Sequence, residues 1–176
     1  MSFFVWLEGT AISEWVRGSP SLWGFPFILY LHTLGLALIA GLSSAVALWI
    51  LVLPGQLYRS PLLNLFPLMW IGLAINAVSG IGLLMAYPAK AMTNPVFYIK
   101  LIAIAFAVGI VQWLQRQFTI ELASGGTYDD GTVPTYAAMQ RLKRAAWSLL
   151  ILWAIATVTG RLLAYTHSIL LATMGI

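Results

Sequence analysis

Polar residues are confined to a few short intervals of this chain, and four long apolar stretches run between them. The stretches extend from about Pro26 to Leu53, Leu62 to Tyr87, Pro95 to Phe118 and Ala145 to Met174. Each exceeds the roughly 20 residues that a helix needs to cross a hydrocarbon core. Backbone amides in lipid must be satisfied internally, so the stretches predict α-helices. The expected fold is all-α, an integral membrane four-helix bundle in one domain spanning residues 1–176.

Prolines punctuate this pattern. Pro26, Pro61 and Pro95 stand near predicted helix starts, where a missing N–H costs little. Pro54-Gly55 and Pro88 end the first two stretches, and Pro67 is expected to kink the first turns of the second helix.

Before the first stretch, residues 2–17 predict an interfacial amphipathic helix. Phe4, Leu7, Ala11 and Trp15 recur at helical spacing, with Glu8, Ser13 and Glu14 elsewhere on the circumference. The segment is too short and too charged to span, and its tryptophans suit the membrane interface. Glu8, Glu14 and the lack of a basic start argue against a cleavable signal peptide. The long polar interval, residues 119–144, is expected to be a cytoplasmic loop with a flexible centre from Ser124 to Gly131.

Composition narrows the function classes. Charged residues make up 8% of the chain against 61% hydrophobic, where a soluble domain carries about 25% charged residues. The absence of cysteine excludes disulfides, thiolate catalysis, iron–sulfur clusters and haem attached through Cys-x-x-Cys-His. The net charge of +4 includes no dense basic patch, so nucleic acid is not an expected partner. Arg59, Arg116, Arg141, Lys143 and Arg144 flank one side of the spans, and Arg17, Lys90 and Lys100 flank the other. The positive-inside rule then puts both termini on the periplasmic side of a bacterial inner membrane.

The two histidines, His32 and His167, lie in the first and last spans. Each stands about six or seven residues from the outer end of its helix, roughly 10 Å deep at 1.5 Å per residue. Antiparallel spans bring those depths level. Facing imidazoles at one depth are what a b-type haem requires, and a bundle core is where such a group sits. Gly35 lies one turn after His32, and Ala156, Gly160 and Ala164 share a stripe with His167. Small residues admit a macrocycle, but they are also the ordinary glue between membrane helices. If the last helix leaves the bilayer near Tyr165, His167 is simply interfacial. Copper is the alternative metal, with His32 and His167 joined by Met85, Met92 and Met174. Those methionines form no Met-x-x-Met cluster, and methionine commonly fills gaps in a core.

Arg161 is the costliest residue to bury, at about 3 kcal/mol in a span centre. No Asp or Glu lies in any of the four stretches. Facing inward, Arg161 needs Asn76, Ser79, backbone carbonyls, an aromatic face, a haem propionate or an anionic ligand; facing outward, it snorkels to lipid phosphate. Asn76, with Gly72, Ser79 and Gly80 on its face, is placed to bond a ligand or another helix. Lys100, one turn into the third span, either reaches a propionate or snorkels.

Several of these residues fall in recognisable motifs. Trp6-Leu7-Glu8, Leu31-His32-Thr33-Leu34, Trp70-Ile71-Gly72, Ser79-Gly80, Asn94-Pro95-Val96-Phe97-Tyr98-Ile99-Lys100, Trp153 and Gly160-Arg161-Leu162-Leu163-Ala164-Tyr165 cover most of the chain. Together they resemble a family of short bacterial four-helix integral membrane proteins of unknown function. The resemblance implies a four-pass inner-membrane bundle and puts His32, Lys100 and Arg161 in recurrent motifs; His167 lies outside them. The layout is also similar to that of four-helix membrane cytochromes b.

Nothing in the sequence pairs a nucleophile with a base or builds a phosphate loop, which argues against a hydrolase. The leading expectation is an electron-transfer protein holding one haem b through His32 and His167. In it Arg161, Lys100, Gly35, Gly160 and Asn76 line the cofactor, and electrons pass to quinone or to an outer redox partner. A copper-handling protein and a non-catalytic anchor of a larger membrane complex are the alternatives. The lipid bilayer is the general partner, and further copies of the chain are candidate partners too.

Overall fold

The computed structural model describes residues 23–53, 64–86, 88–123 and 136–174, with the side chains of 89–90, 121–123 and 164–174 outside the description. The expected interfacial helix at 2–17 and the loop centre lie outside the described residues. The fold is an all-α membrane bundle. Helix α1 spans Phe25–Val52, α2 Phe66–Ala86, α3 Pro88–Met92, α4 Pro95–Ala123 and α5 Tyr136–Met174. Helices α1 and α2, α4 as far as Ile120, and α5 from Tyr136 to Leu163 are long and apolar enough to cross a membrane. No strand occurs among the described residues.

Three boundaries differ from those the sequence predicts. The polar interval 119–144 is helical at both ends, because α4 continues to Ala123 and α5 begins at Tyr136. These flanks hold Gln, Arg, Leu and Ala without Gly or Pro, so intrinsic helix preference carries the spans beyond the apolar stretch. Helix α2 starts at Phe66, so Pro67 occupies a first-turn position that needs no N–H partner. Pro88 ends α2 as expected but also opens the short α3. The Asn94 side chain then caps α4, accepting the Val96 N–H at 3.0 Å.

The buried positions explain how the helices pack. On α5 they are Leu142, Ala146, Leu149, Trp153 and Ala156, and on α4 Ala103, Ala107, Val111, Leu114 and Phe118. Spacings of four and three make one stripe per helix, the pattern of nearly parallel helix axes. Alanines in both stripes let the backbones approach closely. The opposite faces display Ile71, Val78, Ile102, Phe106, Ile151 and Val158, which are exposed and suited to lipid.

Helix α1 changes partner along its length. Its first half, Phe25–Leu36, packs on α2, and its last part, Leu42–Val52, packs on α5. A π-helical turn at Ala37–Gly41 joins the two parts. The wider turn re-aims the buried face, and the Ser43 hydroxyl donates to the Ile39 carbonyl at 2.5 Å beside it. Helices α4 and α5 form the other tight pair, so the looser seam runs between α2 and α4. Trp70 Nε1 donating to Gln115 Oε1 at 2.8 Å and a tilted Phe66–Phe118 ring pair bridge that seam.

Glycine brings the backbones of α1 and α2 into direct contact. A Cβ added at Gly35 would stand 2.5 Å from the Asn76 backbone nitrogen and 2.7 Å from the Gly72 carbonyl oxygen. One added at Gly72 would stand 2.5 Å from the Leu38 Cβ. Nothing lies within 4 Å of the corresponding points at Gly41 and Gly109. Gly35→Ala and Gly72→Ala are therefore expected to lower unfolding stability in detergent by about 1–3 kcal/mol, as overpacking does. Gly41→Ala is expected to be neutral or to stabilise by up to about 1 kcal/mol. Equal effects at all three positions would contradict backbone contact at Gly35.

Candidate functional site

The helix approach at Gly35 brings two polar residues into register. Asn76 Nδ2 donates to the His32 carbonyl at 2.8 Å, and His32 Nδ1 lies 3.1 Å from the Asn76 carbonyl oxygen. Each side chain thus bonds the backbone of the other residue. A carbonyl can only accept, so Nδ1 carries the proton and donates. Ser79 Oγ, 3.2 Å from Nδ1, already donates to the Ile75 carbonyl at 2.6 Å and serves His32 as a second acceptor. Asn76 and Ser79 are both buried.

With Nδ1 committed, Nε2 of the neutral ring holds the lone pair. It faces Lys100 Nζ across 3.5 Å. That distance is long for a hydrogen bond, so the ammonium is held loosely. Both groups are half-buried. The spans contain no Asp or Glu, so no span carboxylate offsets the Lys100 charge.

Small residues make the space. A Cβ on Gly80 would stand 3.2 Å from His32 Cε1, and one on Gly160 would stand 3.7 Å from Lys100 Cε and Nζ. All four long helices therefore meet here: His32 and Gly35 from α1, Asn76, Ser79 and Gly80 from α2, Lys100 from α4 and Gly160 from α5. Thr159, beside Gly160, is also buried, with its hydroxyl donated to the Ile155 carbonyl at 2.6 Å.

Of the residues predicted to form a site, the structure gathers His32, Gly35, Asn76, Lys100 and Gly160. Arg161 is not in the group. It is exposed, turned about 100° around α5 from Gly160. Asn76 and Ser79, two of the partners open to an inward-facing arginine, are bonded to His32 instead. His167 lies on the α5 backbone, but its side chain is outside the described residues.

Ser79 and Gly80 lie beside His32, where the sequence had put them on the face of Asn76 and offered Ser79 as a partner for Arg161. Their signal was the run Gly72, Asn76, Ser79 and Gly80 at helical spacing. Lower in the bundle, the indole nitrogens of Trp49 and Trp153 are buried without a hydrogen-bond partner among the described residues.

The donor set suits some ligands better than others. Among the described residues no three His, Cys, Asp or Glu side chains converge to hold a metal ion. A haem iron takes an imidazole whose other nitrogen is fixed by a carbonyl, which is how His32 is held. Lys100 stands where that iron would approach, so haem ligation requires the lysine to swing aside. No protein-family model, curated protein or solved structure matches the chain.

The His32 tautomer is directly measurable. Nitrogen-15 NMR of histidine-labelled protein near neutral pH is expected to show a His32 signal set with a protonated Nδ1 and an unprotonated Nε2. Ser79→Ala leaves the Asn76 carbonyl in place and should retain that pattern. A protonated Nε2 with a bare Nδ1 would contradict the described geometry.

Proposed function

We propose that this protein is a membrane-embedded electron-transfer component and that His32 and Lys100 bind the oxygen atoms of a redox group, best matched by a quinone head. One observation supports this reading above others. A lysine ammonium inside a span has an uncharged imidazole at 3.5 Å as its bonded neighbour, and no span carboxylate exists to neutralise it. An electron-rich oxygen inserted there would gain a charge-assisted hydrogen bond from Nζ. Reduced quinone carries negative charge on oxygen and takes up protons. Lys100 would stabilise that charge, and the His32–Lys100 pair would supply or accept the proton. The apolar outer surface of the bundle suits a long isoprenoid tail.

The charge asymmetry of the connections supports an orientation with this end of the bundle toward the outside of a bacterial inner membrane. The site then lies in the outer half of the bilayer, open to exchange with an outer redox protein or with a larger membrane complex.

Haem b on His32 and His167 is the second reading. The fixed Nδ1 of His32 favours it, and Lys100 would then move from Nε2 to a propionate. A copper site with methionines and a role as a passive anchor remain the outcomes if no redox group binds.

Two measurements on detergent-purified protein decide among these. A Soret band abolished by His32→Ala and His167→Ala supports haem. Without one, titration with a short-tail quinone is expected to raise the unfolding temperature, since a ligand that binds the folded state stabilises it. Lys100→Met and His32→Phe are each expected to weaken that binding by about tenfold, the value of one charged hydrogen bond. The absence of both a Soret band and a quinone-dependent shift would overturn the electron-transfer reading.

A further inference from the structure

The opposite end of the bundle carries a second polar feature that the His32–Lys100 site does not use. Where α2 and α4 separate, a groove of about 400 Å³ is lined by Trp70, Gln112, Gln115, Arg116, Thr119 and Ile120. We infer that this groove binds the phosphate of an anionic phospholipid through Arg116, with the Gln112 and Gln115 amides bonding the head group.

Three observations carry this assignment. The first is the donor set. Gln115 Oε1 is engaged by Trp70 Nε1 at 2.8 Å, which turns the Gln115 amide nitrogen into the groove's donor. Thr119 Oγ1 donates to the Gln115 backbone carbonyl at 2.9 Å, fixing the turn that holds both side chains. Among the described lining residues none is acidic, so Arg116 gives the groove a net positive charge. The composition selects a net-negative head.

The second is depth. Arg116 is 21 residues after Pro95 on one continuous helix. At 1.5 Å per residue that is about 31 Å, one hydrocarbon thickness from the helix start. Its guanidinium therefore stands at head-group level, where lipid phosphate is and where arginine is stable. An indole at that boundary is likewise at home.

The third is the apolar frame. Arg116 and Gln112 are exposed on the lipid-facing side of α4, and Leu68 and Ile71 of α2 and Trp113 and Ile120 of α4 are exposed large apolar side chains. Acyl chains can lie along these surfaces while the head group reaches the donors. A free phosphate ion would gain nothing from them, so the occupant is a lipid.

Native mass spectrometry of the full chain in non-ionic detergent tests the inference. The probes are phosphatidylglycerol, phosphatidylethanolamine and inorganic phosphate. The wild type is expected to hold phosphatidylglycerol about fivefold more tightly than phosphatidylethanolamine, the preference that one basic residue confers. Arg116→Ala should remove that preference. Arg144→Ala, exposed on α5 at a similar level, should leave it intact. Arg116→Ala changes an exposed side chain, and circular dichroism verifies that the variant is folded. Unchanged lipid preference in Arg116→Ala, equal loss in Arg144→Ala, equal binding of the two lipids, or displacement of the lipid by millimolar phosphate would each overturn the assignment.

Discussion

The site depends on a backbone contact. Gly35 and Gly72 let α1 and α2 approach until an added methyl group at either would collide with the other helix. Only at that separation can Asn76 reach the His32 carbonyl and His32 reach the Asn76 carbonyl. Such interhelical hydrogen bonds contribute about 0.6–2 kcal/mol each in membranes. Their larger effect here is orientational. They fix which nitrogen of His32 is protonated and where the other one points.

The direction of Nε2 has an electrostatic consequence. It faces Lys100, whose helix α4 is packed mainly on α5. Two tight helix pairs, α1 with α2 and α4 with α5, thus meet at the pair of nitrogens. The π turn of α1 lets the same helix serve α2 above and α5 below. A cation held loosely at such a meeting point, in spans devoid of carboxylate, is unusual in a merely structural bundle. This is the physical reason for proposing the function here and not at the exposed Arg161. The groove by Arg116 differs in kind: its cation stands at head-group depth and needs no internal partner.

Much of this was legible in the sequence. Hydropathy and proline placement gave four helices, because lipid leaves an apolar segment no alternative to helix. The site residues His32, Gly35, Asn76, Lys100 and Gly160 were legible as polar or small exceptions in apolar runs. Their grouping was not, because no periodicity states that Lys100 on the third span points at His32 on the first. Arg161 left two readings open in the sequence, inward to a ligand or outward to lipid phosphate, and its exposure agrees with the outward one. The π turn left no composition signal, and the polar ends of α4 and α5 were mistaken for loop because hydropathy marks where lipid ends and not where helix ends. The depth match of His32 and His167 was a sequence argument and stays one.

The central claim is that His32 and Lys100 interact across the bundle. A double-mutant cycle with His32→Phe, Lys100→Met and the double variant, read by unfolding in mixed micelles, tests it most directly. The account predicts non-additivity of about 0.5–1.5 kcal/mol, the range for polar groups in contact. Strictly additive effects would show that the two residues act independently and would contradict the site.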